Sequence, residues 1–314
     1  MQAPCFVNGE KRYTVSYDPC YHYNRWMIMN SDFKNRPVAV IGLGLMGGSF
    51  AERLTELGCF VIGFNRTEET AEQALRMGLV QSVNPQDLKK ADIVIFCTPV
   101  KGTLAFLKEH GDWLKEGAVL TDIAGVKDHK WPRIRELLPT GMDFISAHPM
   151  CGREGAGLAQ ADGTIFNNCN YVLIPEKENE PEHLELIARL ARALGAKHVP
   201  RVTAEEHDRF IAYTSGLPHA VAASLMNSES YEKDTGMFIG GSFTDATRVA
   251  DINGRLWTSL FLSNRDKILA EMDSFQESLC KLRKALETED AEALCEFFTE
   301  ARRRRREMIH HGSC

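Results

Sequence analysis

The 314-residue sequence predicts an α/β fold in which a doubly wound parallel sheet is followed by an all-helical domain. Short apolar, β-branched segments alternate with helical patterns up to about residue 200, and strand signals disappear after Arg201. A glycine-rich turn directly follows the first apolar segment. Continuous apolar strands that alternate with helices are typical of a parallel sheet covered on both faces. We therefore predict a sheet domain over residues 37–200 and a helical domain over residues 201–314.

Residues 1–36 predict an extension that belongs to neither domain. Charged and polar residues interrupt this segment throughout, so it lacks the apolar core of a signal peptide. It is rich in Tyr and has no clear periodicity, which indicates a poorly ordered or peripheral segment. Because the character of the chain changes abruptly at Pro37, Met27 and Met29 are candidate translation starts.

Six apolar segments predict the strands of the first domain. They are VAVIG (Val38–Gly42), CFVIGF (Cys59–Phe64), DIVIFCTPV (Asp92–Val100), AVLTDIAG (Ala118–Gly125), FISAH (Phe144–His148) and YVLIP (Tyr171–Pro175). A helical pattern from Met46 to Leu57 follows the first strand. One more helix and a short strand around Lys197–Val199 end the domain.

In the second domain, the sequence predicts helices over residues 211–226 and 255–287. In the latter, an apolar stripe recurs at three- and four-residue steps, formed by Leu269, Met272, Phe275, Leu279, Leu282 and Leu286. These helices are too apolar for an isolated surface helix. The pattern is compatible with burial against a partner subunit and equally with packing on the first domain.

Composition excludes several classes of protein. A net charge of −6 argues against a general nucleic-acid binder, which requires a basic face. Nine cysteines without a CxxC pair are typical of reduced thiols in a cytoplasmic protein. No apolar run approaches the roughly 18 residues of a membrane span, and no Cys/His/Asp cluster has the spacing of a metal site.

The turn after the first strand has the spacing G-x-G-x-x-G and consists of Gly42, Leu43, Gly44, Leu45, Met46 and Gly47. Gly42 permits the tight turn, Gly44 lets the backbone approach a pyrophosphate, and Gly47 lets the helix pack closely on the strand. The N-terminus of the helix then faces the phosphates. Because the pattern follows a strand and opens a helix, it predicts a Rossmann-type dinucleotide site.

The end of the second strand indicates which dinucleotide is bound. An NAD site usually carries Asp or Glu here, about 20 residues after the glycines, whereas this chain has Asn65, Arg66 and Thr67. Without an acid nothing repels a 2′-phosphate, and Arg66 with Thr67 can donate to it. We therefore favour NADP over NAD, with Arg66 stacking on adenine as the alternative. Thr98, Pro99 and Val100, at the end of another strand, are expected near the nicotinamide ribose.

Two further strand ends carry polar side chains. One leads into TDIAGVK, which ends at Lys127, and the other delivers His148 into the loop that follows. Ligands of open α/β sheets gather beyond the carboxyl ends of the strands. On position alone, a catalytic and a structural role for His148 are equally compatible with the sequence.

Five motifs together resemble the prephenate/arogenate dehydrogenases of tyrosine biosynthesis. They occur in the order GLGLMGGS (Gly42–Ser49), DIAGVK (Asp122–Lys127), HPMCGREGAG (His148–Gly157), SGLPH (Ser215–His219) and DATRVA (Asp245–Ala250). The resemblance covers the chain from about Pro37 onwards. It implies a nucleotide domain, a helical domain that forms a homodimer, and a small-molecule substrate bound between the domains. The implied reaction is oxidative decarboxylation of prephenate to 4-hydroxyphenylpyruvate, or of arogenate to tyrosine, with hydride transfer to NAD(P)⁺.

The resemblance also implies roles for individual residues. His148 accepts the proton of the substrate C4 hydroxyl, and Arg248 binds a substrate carboxylate; a helix salt bridge from Arg248 to Asp245 is the alternative. Ser215 and His219 match polar residues that line the substrate pocket. Glu154 is a candidate gate or pocket acid, with a solvated loop carboxylate as the alternative. Lys127 is a further candidate for the substrate site and is equally suited to contacting the cofactor or holding its loop. Trp257 is expected to pack rather than to bind.

Two departures distinguish this chain from many members of that family. Gly125 stands where serine is frequent, and Gly216 stands where histidine is frequent. Both losses remove hydrogen-bonding groups from the expected substrate site.

Two other classes of protein remain open. A β-hydroxyacid dehydrogenase would require a catalytic lysine on a helix of the second domain, and a non-enzymatic dinucleotide-sensing regulator would require neither His148 nor Arg248.

Overall fold

A computed structural model of the chain describes residues 6–7, 10–11, 32–127, 131–152 and 155–312. The predicted extension lies almost entirely outside these residues, as do both candidate start methionines. The described residues form two compact units. The first lies within residues 1–124 and 132–202, and the second within residues 125–131 and 203–314.

The first unit is built on a six-stranded sheet with the strand order β4-β3-β5-β6-β7-β8. These strands are β3 (Pro37–Ile41), β4 (Phe60–Phe64), β5 (Ile93–Phe96), β6 (Val119–Asp122), β7 (Asp143–Pro149) and β8 (Tyr171–Ile174). A separate two-stranded pair consists of β1 (Phe6–Val7) and β2 (Glu10–Lys11), which run antiparallel. Strands β3 to β7 are parallel, so their carboxyl ends lie at one edge of the sheet.

The sheet is buried because its strands are apolar on both faces. All four residues of β5 and of β6 are buried. The helices of this unit are α1 (Leu45–Glu56), α2 (Glu68–Arg76), α3 (Val100–His110), α4 (Trp131–Leu137) and α5 (Pro181–Leu194). On α1, the Phe50 ring packs against Phe166 with ring centroids 4.4 Å apart. Phe33 is also fully buried, so packed structure begins before Pro37.

The last strand differs from the sequence prediction of a wholly parallel sheet. Strand β8 runs antiparallel to β7, with Ala147 opposite Leu173. A parallel pair needs a crossover connection, usually a helix. Between β7 and β8 the described chain has only the short 3₁₀ turns Leu158–Gln160 and Gly163–Phe166, so the chain simply returns alongside β7. The predicted strand around Lys197–Val199 is reduced to single bridges, one of which joins His198 to Asn170.

Among its described residues, the second unit contains helices, turns and loops but no strand. Its helices are α6 (Ala204–Ile211), α7 (Leu217–Met226), α8 (Gly241–Thr247), α9 (Gly254–Ser263), α10 (Arg265–Glu287) and α11 (Ala291–Gly312). A capping box fixes the start of α6, since Thr203 and Glu206 each bond the other's backbone amide. A π-helical turn, Ala212–Gly216, joins α6 to α7. Short 3₁₀ turns cover Lys233–Phe238 and Arg248–Ala250.

The predicted helix over residues 255–287 is broken at Asn264, between α9 and α10. The Asn264 side-chain amide donates a 2.8 Å hydrogen bond to the Asp208 carbonyl, which ties the break to α6. Across the described part of the chain, every helix is too short or too polar to span a bilayer.

Candidate active site

The glycine loop between β3 and α1 has the shape that a dinucleotide phosphate requires. Gly42 has a φ of +96°, and a Cβ there would lie 2.7 Å from Thr98 Cγ2, so only glycine fits. A Cβ on Gly47 would overlap the Gly42 carbonyl oxygen. At Gly44 no atom lies within 4 Å of the Cβ position, which leaves room for a phosphate. The first turn of α1 contains no acidic residue, so its positive end suits an anion.

Asn65 braces this loop from the end of β4. Its side-chain oxygen accepts a 3.1 Å hydrogen bond from the Leu43 amide, and its side-chain nitrogen donates a 3.1 Å bond to the Thr67 carbonyl. Arg66 and Thr67 are exposed, and the Thr67 side chain does not cap α2. The three residues predicted to bind the cofactor therefore have different surroundings. Asn65 is bonded to the glycine loop, while Arg66 and Thr67 present hydrogen-bond donors to solvent.

The β5–α3 turn carries the residues predicted near the nicotinamide ribose. Thr98 and Thr103 hydroxyls lie 3.0 Å apart, which links the turn to α3. Pro99 is exposed at the N-cap of α3, and Val100 is the first residue of that helix. Burial raises the pKa of the neighbouring Cys97 thiol, and the negative charge of Asp122 adds to this, so the thiol stays neutral.

His148 lies on β7, partly exposed, at the same edge of the sheet as the glycine loop. The buried carboxylate of Asp122, at the end of β6, organises the backbone on both sides of this edge. It accepts hydrogen bonds from the Ser146 hydroxyl at 3.0 Å, the Ala147 amide at 3.2 Å and the Ala124 amide at 3.1 Å. Asp122 therefore ties the residue that precedes His148 to the loop that follows β6.

In the second unit, a buried carboxylate holds the loop that ends at Lys127. The Lys127 amide donates to both oxygens of Asp208, at 2.9 and 3.2 Å. His207 Nδ1 lies 2.7 Å from the same carboxylate. Lys127, His207 and Asp208 are 4%, 2% and 0% exposed, so this network is withdrawn from solvent.

Ser215 and His219 lie one turn apart across the π-helical turn and α7. His219 Nδ1 is 2.8 Å from the Ser215 carbonyl. A carbonyl only accepts, so Nδ1 carries a hydrogen, and in the neutral ring Nε2 is the acceptor. The His219 ring stacks on Trp257, with centroids 3.6 Å apart. Trp257 thus packs on His219, and the expectation that it does not bind substrate stays a prediction.

A side chain on α10 fills the space next to Gly216. A Cβ at Gly216 would lie 3.0 Å from Ile268 Cγ1 and 3.1 Å from Cδ1. Ile268 is buried, at 5% exposure. The place that a longer side chain would need is therefore already taken by Ile268.

Three further positions belong to the predicted substrate site. Arg248 is exposed and begins the 3₁₀ turn after α8. Glu154 lies outside the described residues. Gly125, at the start of the Lys127 loop, brings no hydroxyl.

Sequence reasoning noted the carboxylate of Asp122 but gave it no role, and it missed Asp208, His207 and Asn264. Asp122, Asp208 and Asn264 each bond a backbone group far away in sequence, such as the Lys127 amide 81 residues from Asp208. His207 bonds the carboxylate of its neighbour Asp208. Polar residues without motif spacing give no sequence signal of such contacts.

The doubly wound sheet, the glycine loop and the strand-end histidine define a dinucleotide-dependent oxidoreductase. The family model "Prephenate dehydrogenase, nucleotide-binding domain" matches residues 50–200, and "Prephenate dehydrogenase, dimerization domain" matches residues 203–300. The chain belongs to the prephenate dehydrogenase family.

Similar proteins and solved structures support the same family. The chain is 31% identical over 275 residues to prephenate dehydrogenase of Bacillus subtilis, which covers 84% of this chain and 74% of that protein. It is 31% identical over 279 residues to cyclohexadienyl dehydrogenase of Zymomonas mobilis, with 85% and 94% covered. The Aquifex aeolicus prephenate dehydrogenase structure with hydroxyphenyl propionate and NAD⁺ superposes with a TM-score of 0.79 at 27% identity, covering 87% and 98%. Synechocystis arogenate dehydrogenase gives 0.74 at 28% identity, covering 87% and 99%.

This chain is thus an NAD(P)-dependent oxidoreductase that carries out oxidative decarboxylation in tyrosine biosynthesis. The predicted fold class, family and enzymatic activity are confirmed. The family assignment replaces both alternatives, the β-hydroxyacid dehydrogenase and the regulator.

Proposed function

We propose that His148 is the catalytic base of this reaction and that NADP is the preferred cofactor. One observation carries the first part of the proposal. The parallel strands β3, β5, β6 and β7 end at one edge of the sheet, which brings the glycine loop, the Thr98 turn, Asp122 and His148 to the same side. A base at this edge stands where a dinucleotide's reactive end is expected in this class of fold.

The chemistry asks little of the protein. When bound, the nicotinamide accepts the hydride from ring C4 of the substrate while carbon dioxide leaves C1, and aromatisation of the ring drives both changes. His148 accepts the hydrogen of the C4 hydroxyl and takes its proton, a task suited to a neutral imidazole near pH 7. Asp122 holds the backbone of β7 so that the imidazole starts from one position.

Substrate binding falls to residues of the second unit. We assign Arg248 to a substrate carboxylate, because a planar guanidinium engages both carboxylate oxygens. Ser215 and His219 supply further polar contacts, and the bond from His219 Nδ1 to the Ser215 carbonyl leaves Nε2 as the ring's acceptor. Glu154 remains a proposed pocket acid. Lys127, whose amide Asp208 holds, serves to fix its loop.

The preference for NADP rests on the end of β4. Arg66 and Thr67 are exposed, and neither is acidic. Asn65 is occupied by the Leu43 amide and the Thr67 carbonyl. A 2′-phosphate would therefore meet the guanidinium of Arg66 and the hydroxyl of Thr67 without a competing carboxylate at position 65.

We further propose a homodimer formed through α10, consistent with the dimerization-domain family. The apolar stripe on this helix is solvent-exposed in the single chain: Leu269, Met272, Phe275, Leu279 and Leu286 are 40–59% exposed. Burying such a stripe against a second copy removes apolar surface from water at about 25 cal/mol per Å². Leu279→Glu should give a monomer by sedimentation velocity, whereas Ser274→Glu, which adds the same charge elsewhere on α10, should not.

Two sequence predictions also stay proposals. We propose that residues 37–200 and 201–314 are the two folding domains of the chain, and that the enzyme works in the cytoplasm. The first is tested by expressing 37–200 alone and measuring NADP binding.

One assay tests the proposed function directly. Reduced-nicotinamide absorbance is followed with prephenate and arogenate separately, each with NAD and NADP. We expect turnover with at least one substrate and a lower KM for NADP than for NAD; no turnover in any of the four combinations would contradict the assignment. Arg248→Ala should mainly raise the KM of the substrate, while the control Arg283→Ala, on exposed α10, should leave it unchanged.

A further inference from the structure

Two cysteines face each other where the antiparallel pair β7–β8 continues beyond its named ends. Pro149 lies opposite Tyr171 in this ladder, and the Met150 amide donates a 2.7 Å hydrogen bond to the Asn170 carbonyl. Continuing the same register by one more residue places Cys151 opposite Cys169.

This position has the geometry of a cross-strand disulfide. Because Met150 and Asn170 are a hydrogen-bonded pair, their neighbours Cys151 and Cys169 form a non-hydrogen-bonded pair, in which Cα atoms lie about 4.5 Å apart. Disulfides span Cα distances of roughly 4.4–6.8 Å. The two thiols are reduced, and their side chains are hydrogen-bonded to each other.

The two thiols differ in pKa because of their surroundings. Their mutual hydrogen bond raises the pKa of the Cys151 thiol and lowers that of Cys169, which favours the thiolate at Cys169. The thiolate is the reactive form of cysteine. By contrast, burial raises the pKa of Cys59 to about 11, which makes that thiol inert near neutral pH. Cys151 is partly exposed and Cys169 is buried beside it, so a small oxidant reaches the pair from the side of Cys151.

We propose that Cys151 and Cys169 are a reversible oxidation site, which hydrogen peroxide converts to a disulfide. The Cys169 thiolate attacks the peroxide, giving a sulfenic acid and hydroxide. The Cys151 thiol then attacks the Cys169 sulfur, the S–S bond forms, and water leaves. Overall the two thiols lose two electrons and two protons, and one peroxide becomes two waters. A dithiol reductant reverses the change. The oxidation involves only these two side chains and none of the residues with a proposed catalytic role.

The sequence allows a direct test. Trypsin cleavage after Arg135, Arg153 and Lys177 puts Cys151 and Cys169 on separate peptides, 136–153 and 154–177, each with a single cysteine. The reduced full-length protein is treated with equimolar hydrogen peroxide, its remaining thiols are alkylated, and the digest is analysed by mass spectrometry. We expect the two peptides to appear linked, two hydrogens lighter than their sum, and to separate after treatment with dithiothreitol.

Variants sharpen the result. Cys151→Ser and Cys169→Ser should each abolish the linked species, and Cys280→Ser, at an exposed cysteine of the second unit, should leave it unchanged. Oxidation of Cys169 to sulfinic or sulfonic acid without a link would overturn the proposal. So would a link from either peptide to the one that contains Cys97, residues 91–101. Because the unsubstituted protein gives the primary readout, a variant that fails to fold leaves the test intact.

Discussion

The carboxylate of Asp122 accepts a 3.2 Å hydrogen bond from the backbone amide of Ala147. Asp122 is 3% exposed, and Ala147 directly precedes His148 in β7. A hydrogen bond to a charged group contributes about 1.5–3 kcal/mol, more than one between neutral groups. This contact therefore fixes the backbone that carries the proposed base, and it links that backbone to the end of the neighbouring strand.

Asp122→Asn should lower kcat with little change in the KM for NADP. The asparagine side chain has an NH₂ group in place of one carboxylate oxygen. Hydrogen-bond donors that now face a carboxylate oxygen would then face another donor, and the end of β7 would be held less firmly. Stability should fall by about 1.5–3 kcal/mol, the value of a charge-assisted hydrogen bond. Steady-state kinetics and urea unfolding measure the two effects. Asp112→Asn, at an exposed position of the same unit, is the matched control; equal kcat for both variants would remove Asp122 from this positioning role.

His148→Asn should reduce kcat by roughly 10²–10⁴, the contribution of a positioned acid–base group. The acid limb of the kcat pH profile should disappear, because the residue that must be deprotonated is gone. His183→Asn, on α5 of the same unit, should retain both activity and profile. If the profile of His148→Asn keeps its acid limb, another group is the base.

Arg66→Ala should raise the KM for NADP by about 10-fold or more while leaving that for NAD unchanged, since a charge-assisted bond of about 1.5–3 kcal/mol to the 2′-phosphate is lost. Initial-rate kinetics with both cofactors provide the measurement. Arg76→Ala removes an exposed arginine at the other end of α2 and should change neither constant. A strong NAD preference that Arg66→Ala leaves untouched would refute the assignment of NADP.

Gly216→His should destabilise the protein by about 1–3 kcal/mol, because overpacking forces the side chain against Ile268. Adding Ile268→Ala should recover part of this loss in a double-mutant cycle. At Gly236 no atom lies within 4 Å of the Cβ position, so Gly236→His is the control. Equal urea midpoints for the two histidine variants would show that position 216 accommodates a histidine without overpacking.

Asp208→Asn should release the loop that ends at Lys127, since the Lys127 amide loses a charged acceptor. Hydrogen exchange offers a local readout: the peptide that contains Lys127 should exchange faster, while peptides from α10 keep their protection. Asp234→Asn, at an exposed position of the same unit, is expected to leave all peptides unchanged. Unaltered exchange at Lys127 in Asp208→Asn would mean that other contacts hold the loop.

By itself the sequence determined the features that depend on local spacing. The glycines that open α1, the apolar strands and the helical stripe of α10 are encoded within a few residues, where period and turn chemistry can be read directly. The family followed from five motifs in order, and the comparisons confirm it.

Only the tertiary structure decided the contacts between distant segments. It made β8 antiparallel to β7, because the described residues between these two strands contain no crossover helix. It brought the Asn65 side chain onto the Leu43 amide of the glycine loop, a contact that the sequence did not predict. It also placed the carboxylates of Asp122 and Asp208 on backbone amides 25 and 81 residues away. A buried carboxylate bonds whichever amide the fold brings to it, and no short-range pattern in the chain records that partner.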